Sequence, residues 1–336
     1  MGQHRMLNQK LALITTLLLE EEDHIPTISQ ATSELFQLLI GITSLDSHEA
    51  AHRKPMFLPK GKSIGPYWAA MCVNDLLRTK KFVRGLFYAI KSAQKVFPDD
   101  PIHILYAGTG PFATLALPMT TVFTPEEIQF TFLEANPVTL DLTHQTIDAF
   151  GIRAFVKSVE LVDASLYIPT EDVHILLAEM MQRALDKEPQ VAITQHLAPY
   201  IHPDGFLVPE SIRIQAGLLN PSREIARLQD FTHPAESYIQ FLKVVFELNR
   251  HTTYSFSEKF PEIEIEVSAT QALKYPQLNL FTEVHVFEAQ KLTPWQSGLT
   301  VPKKIADLHP HDQAYQRMTF QYLAGKEPGF HFRILE

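Results

Sequence analysis

Ile102-His103-Ile104-Leu105-Tyr106-Ala107-Gly108-Thr109-Gly110-Pro111-Phe112-Ala113-Thr114-Leu115 is the stretch on which the fold turns. Apolar Ile102, Ile104 and Leu105 predict a buried strand, Gly108 and Gly110 a tight turn, and Ala113-Thr114-Leu115 the start of a helix. Glycine suits such a turn because it admits φ > 0 and lets a ligand approach where a Cβ would clash. A helix start would also aim unpaired N–H groups at that ligand. Glycine turns close ordinary loops too, so the residues around this one must decide.

Working outward, short apolar strands alternate with helices. Strands are expected at Ile128 to Leu133, Ala154 to Leu161 and Val173 to Ala178, with helices after Asn136-Pro137 and from Gln190 to Tyr200. His202-Pro203-Asp204-Gly205 reads as a turn before a further strand. Such alternation means a parallel sheet with right-handed crossovers. Upstream, a long amphipathic helix is expected from Pro66, with Trp68, Met71, Leu76, Phe82, Leu86 and Ile90 on its apolar face. Lys80, Lys81 and Arg84 read as its solvated side. Residues 7–41 read as two helices broken at Ile25-Pro26, and 47–62 as a covering segment. Beyond about Pro209, Ile263 to Val267 and Phe281 to Phe287 alternate as strands do, while Pro221 to Leu248 reads as a helical insertion.

Acids fall where the predicted strands end: Glu134, Asp163 and Glu179. Ligands of open α/β sheets bind beyond the carboxyl ends of the strands. Glu134, one strand after the glycine turn, is placed to accept both hydroxyls of a ribose. Asp163, another strand on, is placed at the edge of a base. An adenosine-containing cofactor follows. The dinucleotide fingerprint would add a third glycine near Phe112 or Ala113, and none is there. After the next strand, Glu179-Met180-Met181-Gln182-Arg183-Ala184-Leu185-Asp186-Lys187-Glu188 brackets a short loop with two carboxylates. Two carboxylates can hold a planar guanidinium through paired, charge-assisted hydrogen bonds.

Here the chain resembles the protein arginine methyltransferases, class I S-adenosylmethionine enzymes. Glu179 and Glu188 have the spacing of the family's double-glutamate loop. Leu105 to Phe112 and Glu134-Ala135-Asn136-Pro137 look most like the symmetric-dimethylating branch. Asp204 to Pro209 resembles the turn closing the family's nucleotide domain, and Asp75-Leu76-Leu77-Arg78-Thr79 its carboxylate-gripping helix. Thr293-Pro294-Trp295-Gln296 resembles the Thr-His-Trp loop with proline in place of histidine. Pro66-Tyr67-Trp68 is the nearest match to the N-terminal Tyr-Phe motif, and residues 1–60 lie outside the resemblance.

The resemblance implies a Rossmann-like domain over 63–209, preceded by a helical segment (1–62) and followed by a mainly β, barrel-like region (210–336). It implies S-adenosyl-L-methionine held by Arg78, Tyr106, Ala107, Gly108, Thr109, Gly110, Glu134 and Asp163. Glu179 and Glu188 would be catalytic, with Met181 and Trp295 binding the acceptor. With proline at 294, a glutamate or water takes the proton released. The acceptor is an arginine-containing protein or a small guanidine or amine. A silent protein that keeps the fold is the competing reading. A homodimer is implied, with 221–248 as the arm and Ile225, Ile239, Leu242 and Val245 facing the partner.

Composition narrows the classes further. A net charge of −9 argues against a nucleic-acid partner on overall electrostatics. One cysteine, Cys72, excludes an internal disulfide and a cysteine-built zinc site, and it reads as a buried, inert thiol. The histidines lack metal-ligand spacing, so no metal is expected; His309-Pro310-His311-Asp312 reads as a solvated loop. The apolar run Leu11 to Leu19 is too short to span a bilayer. No membrane partner is therefore expected, and the cytoplasm is the expected compartment.

Overall fold

Apolar stripes on two N-terminal helices, α1 (Gly2–Leu19) and α2 (Ile25–Ile40), bury Leu11, Leu18, Ile28, Leu35 and Leu39 completely. Pro26 sits in the first turn of α2, where its missing N–H costs nothing, which explains the break between the helices. The computed structural model describes residues 2–229, 237–252, 258–309 and 315–335. Residues 310–312 of the His-Pro-His-Asp stretch lie outside them.

After a short α3 (Ala50–Arg53), the hairpin β1 (Met56–Leu58) and β2 (Gly61–Ser63) occupies part of the segment expected to be irregular. The long helix expected from Pro66 is broken. α4 (Pro66–Met71) passes through a 3₁₀ turn at Cys72–Asn74, and Asp75 then begins α5 (Leu76–Val96). The basic run of α5 is not a solvated face either. Lys80 and Arg84 are only 1% and 5% exposed. Lys80 donates to the carbonyl of Glu22, Arg84 Nη1 donates to that of Glu21 at 2.8 Å, and Asp23 pairs with Lys81 at 2.5 Å. The acidic turn between α1 and α2 thus covers three cations of α5.

β3 (Ile102–Ala107) follows, buried at every position. Its glycine turn does not lead directly into a helix. Residues 111–115 are turns, Ala113 has φ 45°, and only α6 (Ala116–Met119) is helical. β4 (Ile128–Glu134), α7 (Pro137–Phe150), β5 (Val156–Leu161), β6 (Val173–Ala178), α8 (Gln190–Leu197) and β7 (Ile201–Val208) complete the domain. Residues 202–205, expected as a turn, lie within β7. All five strands β3 to β7 are parallel, in the order β5-β4-β3-β6-β7. The order reverses between β3 and β6, which opens a crevice at their carboxyl ends.

β8 (Ser211–Leu219) starts an antiparallel region. α9 (Pro221–Gln229) is helical, but β9 (Ile239–Asn249) is a strand hydrogen-bonded to β8, which corrects the helix expected across 221–248. Val245, expected to face a partner, is buried in the protein's own core. Residues 230–236 of that expected arm lie outside the described residues. β10 (Ile263–Ser268), α10 (Ala269–Lys274), β11 (Gln277–Phe287), β12 (Gln290–Leu292), β13 (Lys303–Asp307), β14 (Tyr315–Leu323) and β15 (Gly329–Ile334) follow. β8, β9, β11, β12 and β13 make one sheet, and β10, β14 and β15 another. One apolar core runs from α1 and α5 through the parallel sheet into both antiparallel sheets. No helix among the described residues is long and apolar enough to cross a membrane.

Candidate active site

The crevice between β3 and β6 deepens into a cavity of about 690 Å³, within the ~300–1,000 Å³ usual for small-molecule sites. Its floor is the glycine turn. Gly108 and Gly110 have φ of 72° and 62°. A Cβ on Gly108 would overlap the side chain of Met180. Glu134, at the end of β4, accepts from the N–H of Asn136 at 2.9 Å and of Gly110 at 3.3 Å. The same carboxylate therefore fastens the turn and faces the cavity. Burial pushes its pKa up to about 7, against the opposing pull of those N–H groups.

Asp163 lies just beyond β5. Its Oδ1 takes the N–H and hydroxyl of Ser165 at 2.9 and 2.8 Å. Its Oδ2 is buried against the cavity without a partner, and so is Thr109 Oγ1. Burial leaves such atoms short of a hydrogen bond unless a ligand supplies one. An N–H donor on a bound base would satisfy the first.

On the far wall, Arg78 of α5 pairs with Glu179 at 2.5 Å, both nearly buried. Burial works against the charge on Arg78, but the carboxylate of Glu179 outweighs it, so the guanidinium is held ionised more firmly than usual. Glu188 closes the other end of the loop, only 5% exposed. Burial raises its pKa to about 7, while a Gln182 hydrogen bond and the Arg78 charge pull the other way. Burial also raises Tyr106, beside Arg78 and Glu179, and the Cys72 thiol; both stay protonated at neutral pH.

The loop from 179 to 188 is shaped from outside itself. Ala184, Leu185 and Lys187 have φ of 55°, 54° and 67°. Ala184 N–H donates to Thr282 Oγ1 at 2.9 Å, Tyr322 OH donates to the Leu185 carbonyl at 2.8 Å, and Lys187 N–H donates to the Pro328 carbonyl at 2.8 Å. At its start, Gln190 accepts from Met180 N–H and donates to the Ala178 carbonyl. Sequence reading missed Gln190, Thr282 and Tyr322. Only their proximity in space marks them.

Arg78, Tyr106, Gly108, Thr109, Gly110, Glu134, Asp163, Glu179, Met181 and Glu188 all line the cavity, whereas Ala107 is wholly buried beneath it. Trp295 does not line it. At φ 73° it is turned outward and is 36% exposed, and Gly298, Leu299 and Val301 of the same loop reach the cavity instead. Asp75 holds that loop, accepting from Ser297 Oγ at 2.6 Å and Gly298 N–H at 3.0 Å. Leu58, Ser63, Ile64 and Trp68 complete the mouth, so the N-terminal segment also enters the site.

No family model matches the chain, and no curated protein matches it by sequence. Solved structures do resemble it. The Trypanosoma brucei PRMT1 enzyme–prozyme heterotetrameric complex with AdoHcy aligns over 78% of this chain and 91% of its own, at 12% identity and a TM-score of 0.50. A PRMT6–SAH structure aligns over 80% and 99%, at 8% identity and a TM-score of 0.54. Arabidopsis thaliana protein arginine methyltransferase 10, in a uniquely open conformation, aligns over 80% and 98%, at 11% identity and a TM-score of 0.54. At such identities the likeness is one of fold: a Rossmann-like parallel-sheet domain followed by an antiparallel β region.

Proposed function

We propose that this protein is an S-adenosyl-L-methionine-dependent methyltransferase acting on a guanidino nitrogen. One observation carries the reading: Arg78, Glu134, the unpartnered Asp163 Oδ2 and the two loop glutamates border a single cavity above a glycine turn. AdoHcy and SAH, named in two of the similar structures, support the cofactor. The residues present fit it. Glu134 would accept from the ribose hydroxyls, Asp163 Oδ2 from the base, and Arg78 would hold the α-carboxylate. The cofactor, when bound, supplies a methyl group on a sulfonium.

Everything else falls to the chain. Glu179 and Glu188 would hold the guanidinium between them and direct one nitrogen toward the cofactor side of the cavity. Positioning of this kind can contribute ~7–11 kcal/mol. Glu188, with a pKa of about 7, suits a proton acceptor at neutral pH. Pro294 cannot take the proton, so the loop at 293–301 contributes shape rather than a base. The same proposal includes kinship with the symmetric-dimethylating branch, on the strength of Leu105 to Phe112, and pairing of two copies through α9. It places the enzyme in the cytoplasm.

Thermal denaturation with S-adenosylhomocysteine, and separately with NAD, tests the cofactor. Only the first should raise Tm. Glu134→Ala should weaken S-adenosylhomocysteine binding by ~1–3 kcal/mol in calorimetry, the loss expected for hydrogen bonds to a charged group. A Tm raised by NAD alone would reject the reading.

A further inference from the structure

Resting on that reading, we propose that the acceptor is a small guanidino acid rather than an arginine in a protein. Its guanidinium would lie between Glu179 and Glu188, and its carboxylate would be taken by Arg183. Arg183 sits in the middle of the double-glutamate loop, lines the same cavity, and is exposed. Among the described residues its side chain makes no ion pair or hydrogen bond. Elsewhere in the loop Asp186 pairs with Lys303 at 2.9 Å and Glu179 pairs with Arg78, while Lys187, also exposed, does not line the cavity. A free guanidinium a few residues from two buried carboxylates matches a ligand positive at one end and negative at the other. Arginine's planar fork takes a carboxylate bidentately.

The hairpin β1–β2 points the same way. It lies against the backbone of the loop, where Lys62 N–H donates to the Lys187 carbonyl at 3.0 Å. Gly61, at φ 135°, packs so closely that a Cβ there would stand 2.9 Å from the Lys187 oxygen and 3.2 Å from the backbone at Glu188 and Pro189. Lys60 ties the hairpin across to Glu258 of the C-terminal region. The hairpin therefore covers the backbone of the loop at residues 187–189. All four charges between residues 53 and 63 are positive: Arg53, Lys54, Lys60 and Lys62. Lys60 is paired with Glu258, and of these side chains and those of the loop it is Arg183 that lines the cavity, where its positive charge attracts a carboxylate. Leu58 and Ile64, in and beside the hairpin, line the same cavity.

The reaction balances without another reagent. The guanidino nitrogen's lone pair forms the new N–C bond as the donor's C–S bond breaks, and sulfur keeps that pair. The proton released from the methylated nitrogen goes to Glu188 or water.

The test compares acceptors matched in guanidine and different in carboxylate. The protein is incubated with methyl-labelled S-adenosylmethionine and free arginine, 3-guanidinopropionate, agmatine or a Gly-Arg repeat peptide. At least one of the two acids should exceed agmatine and the peptide by tenfold or more in kcat/KM. Arg183→Gln should erase most of that preference through KM, and Arg183→Lys should keep part of it. Calorimetry of the better acid onto the S-adenosylhomocysteine complex should show the same tenfold loss in Arg183→Gln without turnover. Equal or better methylation of agmatine or the peptide, or an unchanged preference in Arg183→Gln, overturns the small-acid assignment and leaves the methyltransferase standing. No label on any acceptor and no binding of S-adenosylhomocysteine would instead remove both.

Discussion

Two carboxyls in the cavity, Glu134 and Glu188, have pKa values pushed up to about 7 by burial. A raised carboxyl binds its proton more tightly in the folded state than in the unfolded one. Its stabilising effect is therefore complete below the unfolded pKa of about 4.5 and is lost as pH rises through 7. Ligand-free protein should lose stability between pH 4.5 and 8. In Glu188→Gln that decline should be shallower by ~1–3 kcal/mol in urea unfolding, given 1.36 kcal/mol per pKa unit; an identical pH dependence would show that Glu188 ionises freely. The proposed turnover depends on the two loop glutamates, Glu179 and Glu188. An amide keeps the shape of each but loses the charge, and turns N–H donors toward a substrate that is itself a donor. Glu179→Gln and Glu188→Gln should each lower kcat roughly 10²-fold, or ~2.7 kcal/mol. In Glu188→Gln affinity for S-adenosylhomocysteine should hold, since Glu188 does not pair with Arg78. Wild-type rates in both variants would end the guanidinium assignment. Glu134 and Glu179 were legible because they stand at strand ends, where sequence order alone puts them over the sheet, and Glu188 by its spacing from Glu179. Trp295 was not, because its left-handed backbone and its place outside the cavity lining are features no spacing reveals.

Elements were readable where one face decides the pattern. β3 and β6 are buried at every position, so their continuous apolar runs admitted little else. Residues 239–249 alternate imperfectly, with Val244, Val245 and Phe246 in a row, and satisfy a helical period almost as well. Pairing with β8 makes them a strand. The burial of Lys80 and Arg84 was illegible because their partners, Glu21 and Glu22, lie about sixty residues away. The loop from 179 to 188 shows a further dependence of this kind. Its left-handed residues Ala184, Leu185 and Lys187 carry non-glycine side chains, a conformation that persists only when surroundings enforce it. Thr282 and Tyr322, from strands of the C-terminal sheets, supply two of the enforcing hydrogen bonds. Each leaves a buried backbone group unsatisfied when removed, at ~1–3 kcal/mol. The double variant Thr282→Val, Tyr322→Phe should lower kcat at least tenfold while S-adenosylhomocysteine binding changes little, because the glycine turn and Glu134 are untouched. Full activity would mean that the loop holds its shape unaided.

At the scale of the whole molecule, the C-terminal region both buttresses the loop and carries α9. Glu224, wholly buried, accepts from Tyr238 N–H at 2.6 Å and from Arg227 Nη2 at 2.6 Å, which ties the first turn of α9 to the residue preceding β9. The helix is thereby fixed at its start to the antiparallel sheet. Its outer face still presents Ile225 and Leu228, 49% and 39% exposed, and β9 adds Phe241 at 49%. Exposed apolar groups of this kind would fit a self-complementary contact between two copies, each helix packing on the other molecule. Of the positions first expected to face a partner, Ile225 is exposed, whereas Val245 belongs to the core. Light scattering at micromolar concentration should accordingly give a dimer. Ile225→Asp with Leu228→Lys should give a monomer of unchanged circular dichroism, since neither side chain supports the fold. Glu224→Gln, which loosens the base of α9 without altering its outer face, should weaken dimerisation to a lesser degree and lower Tm. A wild-type monomer, or a dimer that survives the double substitution, would show that these side chains meet water alone.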